Sequence, residues 1–411
     1  MLLAMVSATA GAAEWRLADD EWARLGRLAV GEKAQLAAAG SRGTDGQLAF
    51  RRVEIRAPGA RAWAVRDGRR EPLDATGQVF LIGRDPVSPD WRWALVLDAD
   101  GALAAGAVYG DRGLQPLRTY RDAGNLVLRA YDPEDLLPDG VGLDFQCGND
   151  SLTAIPGYQP PVQLQSSPGR ASASRSGPLR VGVLAIDTDK EWLDRRFEDD
   201  VHAAAAWIEQ LMHITNVIFE RDLNLRMLQG ETILRVGSDP YETDSSPANS
   251  TILNEFGAYW SANFASIDRT HAALISGRSS AENRASGIAW VDSYCETRSS
   301  GGSYSVNQLF YGSWVPEVSS ARIFAHELGH NLGSSHTHCY TPPVDQCFNA
   351  QSGCYSGPVS CPAEGTGTLM SYCHFPESSG GANCGPSRLE LHPTVAETIG
   401  GRIAARVPSC I

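Results

Sequence analysis

The stretch Arg322–His338, RIFAHELGHNLGSSHTH, decides how the chain is read. It carries His326, Glu327, His330, Gly333 and His336 in the order H-E-x-x-H-x-x-G-x-x-H. Two histidines four residues apart share one face of a helix, so two imidazole nitrogens can converge on one ion. Glu327, one residue past His326, is turned about 100° around the helix, close enough to hold a metal-bound water but badly placed to be a ligand. It is the expected general base. Gly333 permits the left-handed conformation that ends a helix, after which the chain can swing His336 back toward the other two. Three neutral nitrogens leave a fourth position open, and Zn2+ with an open position lowers the pKa of its water to about 7, as hydrolysis at neutral pH requires. The competing reading is a buried helix whose histidines satisfy core hydrogen bonds. Gly333 and His336 at the required offsets, followed by GTLMSYC at Gly367–Cys373, weigh against it.

At these residues the sequence resembles the metzincin metallopeptidases, over about Leu179–Ile411. The resemblance implies that Met370 is the methionine of the turn beneath the metal, an apolar floor under the imidazoles and not a ligand. SGIAWVDSYC, Ser286–Cys295, is similar to the substrate edge strand of the reprolysin branch, the ADAM and snake-venom relatives. That similarity implies that Gly287, Ile288, Ala289 and Trp290 run beside an extended substrate, with a pocket shaped around Ile288 and the turn after Met370. Backbone pairing of this kind is open to any peptide, which implies a polypeptide substrate. The resemblance also implies a Cys295–Cys410 disulfide and leaves the other cysteines unassigned. Two positions depart from the branch. Thr337 stands where those relatives usually have aspartate, and Tyr372 stands two past Met370 where they commonly have proline. The astacin and serralysin branches have tyrosine there, and it can approach zinc or the oxyanion; packing in a tight turn is the alternative for Tyr372. A reprolysin-like enzyme of bacterial type is the description that fits. A structural Ca2+ site, as in some relatives, has no assignable ligands here.

Of nine cysteines, eight fall between Cys295 and Cys410, enough for four disulfides and suited to an oxidising, extracellular compartment. The ninth, Cys147 in LDFQCGND, is followed by Gly148 and is similar to the cysteine switch of matrixin and ADAM zymogens, although Gln146 stands where matrixins have arginine. A thiolate there can take the open zinc position until a prosegment leaves. The alternative, a Cys147 that is merely buried or bonded to another cysteine, stays open.

The remaining chain sets the bounds. Its 411 residues, 43% of them hydrophobic, suffice for two or three domains. A net charge of −13 argues against a nucleic-acid partner, which needs a clustered basic face. No apolar run is long enough for an integral membrane segment. Residues 1–13, MLLAMVSATAGAA, read as a truncated signal peptide cut before Glu14; with no Lys or Arg at its start, either the true start lies upstream or the segment is a frayed terminus. From 14 to 150 a helix over Leu17–Ala29, extended by KAQLAAA, gives way to short alternating stretches from GQLAFRRVEIRA to ALAAGAVYG, which predict antiparallel strands. Without a catalytic constellation, this region reads as a β-rich prodomain that inhibits its own enzyme, with an independent binding domain as the alternative. Residues 151–178, rich in Pro, Ser and Gly, read as a linker with a maturation cut between Arg170 and Leu179.

Residues 179–411 read as the zinc metallopeptidase domain. A strand at LRVGVLAIDTD, one long helix over Glu191–Glu220, a strand over Leu223–Val236, a helix over Ser250–Ala265 and a strand over Ala272–Arg278 alternate. Alternation predicts an α/β domain of metzincin type, a mixed and mostly parallel sheet with the zinc-binding helix packed beneath it. His338 and His374 are expected beside the site or on the surface, and His202, His213, His271 and His392 have no metal partner at useful spacing. The expected function is that of a secreted zinc-dependent endopeptidase made as a zymogen. The rival is a non-catalytic secreted binding module on the same fold, whose signature, a missing glutamate or histidine, is not seen.

Overall fold

The computed structural model describes residues 13–40, 46–85, 91–154, 177–406 and 410–411. Nearly all of the leader 1–13, and residues 155–176 of the linker with most of the maturation stretch, lie outside them. In chain order the elements are β1 (Glu14–Leu17), α1 (Asp19–Gly26), β2 (Lys33–Gly40), β3 (Gly46–Val53), β4 (Ala62–Arg66), β5 (Arg69–Pro72), β6 (Val79–Arg84), β7 (Arg92–Leu97), β8 (Leu103–Gly110), β9 (Gly113–Asp122), β10 (Asn125–Ala130) and β11 (Asp144–Cys147). They continue with β12 (Arg180–Thr188), α2 (Lys190–Phe197), α3 (Val201–Leu223), β13 (Leu225–Val236), α4 (Ser250–Asn263), β14 (His271–Ser276), β15 (Arg284–Ala289), β16 (Tyr304–Gln308), α5 (Glu317–Asn331) and α6 (Pro393–Arg406). Two compact units result, one from Met1–Val53 with Gly77–Leu136, the other from Glu54–Thr76 with Leu137–Ile411.

The first unit is a closed antiparallel barrel in the order β1-β10-β9-β8-β7-β6-β3-β2, with β2 returning to β1. Alternation fills its interior. Leu36 on β2, Leu81 on β6, Leu95 on β7 and Leu128 on β10 are fully buried, and Trp93 meets Trp15 edge-on with ring centroids 4.4 Å apart. KAQLAAA does not extend α1: Ala34, Leu36 and Ala38 are buried at every second residue, the period of a strand, and this stretch is β2.

The second unit holds an eight-stranded mixed sheet in the order β11-β15-β16-β14-β12-β13-β4-β5. Pairing is parallel except for β15 with β16 and β4 with β5. Ile252, Phe256 and Trp260 of α4 pack with Ala185, Ile233, Leu274, Ile288 and Val306 on one side of this sheet. Alternation turns their strand neighbours to the other side, where α3 and α5 lie against the strands. The single helix expected over Glu191–Glu220 is two: Glu198 and Asp199 take left-handed conformations that end α2, and the Asp200 carboxylate caps α3 by accepting from the amides of His202 and Ala203.

This architecture overturns the expected fold class, an α/β metzincin domain preceded by a β-rich prodomain. The described residues form a closed antiparallel barrel and a mixed sheet, with far more strands than helices. Strand and helix alternate only as far as β14, after which β15 and β16 follow directly, and β4, β5 and β11 reach the mixed sheet from the N-terminal third. Short alternating strands name no partner, so their sequence could not say which sheet each would join. Among the described residues no helix is long and apolar enough to cross a membrane.

Asp187 ties this sheet together. Its fully buried carboxylate, on β12, accepts from Arg235 Nε and Nη2 on β13 at 2.8 and 2.7 Å, from the Tyr241 hydroxyl at 2.8 Å and from the Trp260 indole of α4 at 2.9 Å. Asp187→Ala leaves the Arg235 guanidinium buried without its anion, and should cost about 3–5 kcal/mol in urea unfolding of the second unit. A loss below about 1 kcal/mol would show that the pair is not structural.

Candidate metal centre

Helix α5 is buried on nearly every side, with only Glu317 and Arg322 partly open to solvent. Histidines and a glutamate in such a helix are costly unless their polar atoms are employed. His326 Nδ1 donates to the Leu369 carbonyl at 2.7 Å, His330 Nδ1 to the Ser334 carbonyl at 2.7 Å, and His336 Nδ1 to Gln351 Oε1 at 2.9 Å. These acceptors fix the tautomers, leaving every Nε2 with a bare lone pair. The Nε2 atoms nevertheless face one another, at 3.1 Å for His330 to each of the others and 3.3 Å for His326 to His336. Burial depresses all three imidazoles, His330 to about 4, with mutual repulsion adding to the depression of His326 and His336. Neutral rings aimed lone pair to lone pair suit a cation between them. Nitrogens on one tetrahedral ion at roughly 2.0–2.1 Å stand about 3.3 Å apart, so the residues present fit zinc.

The helix end delivers the third ring. Gly333 has φ +113°, its amide donates to the His330 carbonyl at 2.9 Å, and the chain returns through Ser334 to His336. Asn331 anchors the same end, its side-chain amide donating to the carbonyls of Trp290 at 2.8 Å and Tyr304 at 3.0 Å. Met370 is fully buried, and its carbonyl accepts from the Thr337 amide at 3.1 Å.

Cys147 joins the histidines. It is the one free cysteine among the described residues, buried, with Sγ 3.6 Å from His330 Nε2 and within 4.8 Å of all three ring nitrogens. A thiolate at about 2.3 Å from a tetrahedral ion stands about 3.6 Å from imidazole nitrogens on that ion. Burial, and then the neighbouring Glu327 charge, push the thiol well up. Strand β11 carries Cys147 by pairing parallel with β15, so that Cys147 aligns with Gly287. The Tyr372 hydroxyl donates to the Cys147 carbonyl at 3.2 Å, and the Tyr372 ring lies 4.1 Å from that of His336.

Gly287 faces Glu327, whose carboxylate oxygens are buried and make no hydrogen bond of normal geometry. Burial pushes the Glu327 carboxyl well up, the Cys147 thiol opposing in part. Ile288 and Trp290 point the other way, into the core around α4. Ala289 offers its amide to Asn149 Oδ1 at 3.0 Å. His338 donates to Gln351 Oε1 at 2.6 Å, and His374 donates to the Phe145 carbonyl at 3.3 Å while stacking on the Phe145 ring. His271 lies away in the sheet, bonded to Ser303. Two further clusters with metal-binding atoms, His336–His338–Cys339 and Asp345–Cys347–Cys373, use cysteines that are already in disulfides.

Sequence reading missed Gln351, Asn331, Asn149 and Phe145. Gln351 reaches His336 from a loop closed by Cys339–Cys354, and nothing in its own neighbourhood marks it. The remaining disulfides are Cys347–Cys373, Cys361–Cys384 and Cys295–Cys410.

The family model of the reprolysin type, metallo-peptidase family M12, matches residues 178–379. Residues 178–379 are thus similar to the reprolysin branch of the metzincins. Over 164 residues, 40% of this chain and 74% of the relative, it is 25% identical to the snake venom metalloproteinase fibrolase of Macrovipera lebetinus. Metalloproteinase-II from Bacteroides fragilis aligns in structure over 87% of both chains, at 12% identity and a TM-score of 0.38. Similarity to that family implies zinc as the metal of this site.

A Cβ on Gly287 would come within 2.3 Å of Glu327 Oε1. Gly287→Ala should therefore shift that carboxylate, lowering kcat roughly a hundredfold in peptide hydrolysis while zinc content and melting temperature stay near wild type. Unchanged kcat would show that Glu327 needs no such close approach.

Proposed function

We propose that the chain is a secreted zinc endopeptidase made as a zymogen, acting on polypeptides. The observation that carries this reading is the set of three Nε2 lone pairs within 3.3 Å of one another, with Glu327 buried beside them on the same helix. His326, His330 and His336 would hold the ion. A zinc ion so held supplies Lewis-acid polarisation that brings a water's pKa to about 7. Glu327, its carboxyl already pushed up by burial, takes the proton of the attacking water and hands it to the leaving amine. Gly287 and Ala289 of β15 offer backbone groups to an extended peptide, and Met370 closes the floor. The Tyr372 hydroxyl, now bonded to a peptide carbonyl in β11, would donate to the carbonyl of a substrate in that place.

Residues 14–150 act as the prosegment, 151–178 as the stretch cut on maturation, and 1–13 as part of an export signal. Support for inhibition comes from β11, which lies along β15 with Cys147 Sγ 3.6 Å from His330 Nε2. A strand there would block the backbone groups a substrate uses, and Cys147 as a thiolate would hold the metal in place of water. Four disulfides and the venom relative favour an extracellular setting.

Glu327→Ala should keep stoichiometric zinc by elemental analysis yet lose at least about a thousandfold in peptide hydrolysis, whereas His330→Ala loses the metal as well. Substantial activity in pure Glu327→Ala would reject the assigned base. Cobalt(II) substituted for zinc reads the sulfur contact directly. The uncut chain should give a thiolate-to-metal charge-transfer band that Cys147→Ser lacks, and identical spectra would remove Cys147 from the site.

A further inference from the structure

The N-terminal stretch joins the mixed sheet at both ends, and the two attachments differ in kind. At one end β11 covers β15 beside the metal site. At the other, far along the strand order, β4 pairs parallel with β13 over Ala62–Arg66 against Thr232–Val236, and β5 folds back on β4 as the outermost strand. We propose that residues 54–76 are a permanent part of the peptidase, so that a cut within residues 155–176 yields a nicked enzyme of two fragments that stay together.

Three features carry this. First, the backbone of β13 is satisfied on that side only by this segment: Gln229 donates to the Ile55 carbonyl at 2.7 Å and accepts from the Ala57 amide at 2.8 Å, and Thr232 donates to the Arg61 carbonyl at 2.9 Å. Departure of the segment would leave β13, 12 residues long, as a bare sheet edge. Second, its side chains belong to the core. Ile55, Ala62 and Ala64 are buried, and Val65 is packed in the same cluster as Ile233, Tyr241 and Phe256. The Trp63 indole donates to Glu231 Oε1 at 2.6 Å. Third, Glu209 lies in the middle of α3 with 1% of its side chain accessible, and its carboxylate is answered from this segment by Arg56, with Nε donating at 2.7 Å, and by the Thr76 hydroxyl. Removing Arg56 and Thr76 strands a buried carboxylate, a much heavier penalty than opening a short surface strand.

The consequence for regulation rests on the zymogen reading. β11 is only four residues long, whereas the 54–76 segment is held by a strand pair, a core and a buried ion pair. A retained anchor keeps β11 and Cys147 at high local concentration after the linker is cut, so inhibition outlasts the first cleavage and ends with a second one that detaches β11 from residues 54–76.

The test uses the full chain, zinc-loaded, with a site-specific protease sequence inserted after Gly169. After complete cutting, the two fragments should co-elute in size-exclusion chromatography at micromolar and at low-nanomolar concentration, and separate only in denaturant. Arg56→Ala should raise their dissociation constant at least about tenfold, with Arg56→Lys recovering part of it. Separation of folded wild-type fragments at micromolar concentration overturns the proposal, whether or not Arg56→Ala folds. Peptide hydrolysis measured on the same samples keeps the two readings apart: co-eluting fragments with full activity uphold the retained segment and reject the inhibitor.

Discussion

Three unprotonated imidazole nitrogens held about as far apart as hydrogen-bonded atoms, with no proton among them to share, form the constraint on which the second unit is built. Repulsion between the lone pairs is tolerable only if each ring is gripped from behind and a cation sits in front. The grips come from three separate places: the Leu369 carbonyl just before Met370, the Ser334 carbonyl just after Gly333, and the Gln351 side chain. The turn at Met370, the end of α5 and the loop around Gln351 must all be positioned before the third ring can close the set. The neutral state imposed by burial serves the same end, because a protonated ring could not face its neighbours.

Closeness to the sheet supplies the rest of the chemistry. Glu327 can lie directly against β15 because Gly287 has no side chain, and the Asn331 amide locks the end of α5 to the carbonyls that follow β15 and begin β16. Glu327, the three imidazoles and β15 are thus held in one rigid relation. The same closeness explains how Cys147 arrives: a strand on β15 that carries a cysteine opposite Gly287 needs no further device to reach the imidazoles.

Much of this was legible, for reasons that can be stated residue by residue. The offsets between His326, His330, Gly333 and His336 encode a helix, its termination and a return, so a purely local pattern specifies a three-dimensional convergence. Cysteine arithmetic was equally local, and the leftover thiol is indeed the unpaired one. What could not be read is pairing at a distance. Nothing in AWAVR says that it joins β13 beyond the barrel strands that flank it in sequence, and nothing in KAQLAAA but a period-two burial, invisible when most residues are alanine, separates it from a helix. Glu209 in an apolar helix stripe was the available signal that a basic partner would arrive from elsewhere, and it went unused. Gln351 carried no signal, because its position is set by a crosslink and not by its neighbours.

Between the end of α5 and the start of α6 the chain has only two short 3-10 turns, yet it supplies His336, Gln351, Met370 and Tyr372. Three interlaced crosslinks, spanning 15, 26 and 23 residues, take the place of helices and strands there. A wall held by sulfur does not depend on the propensities of the residues between its anchors. The half-buried and exposed residues from Tyr355 to Ser360 are therefore positioned by the crosslinks that flank them, at Cys354 and Cys361.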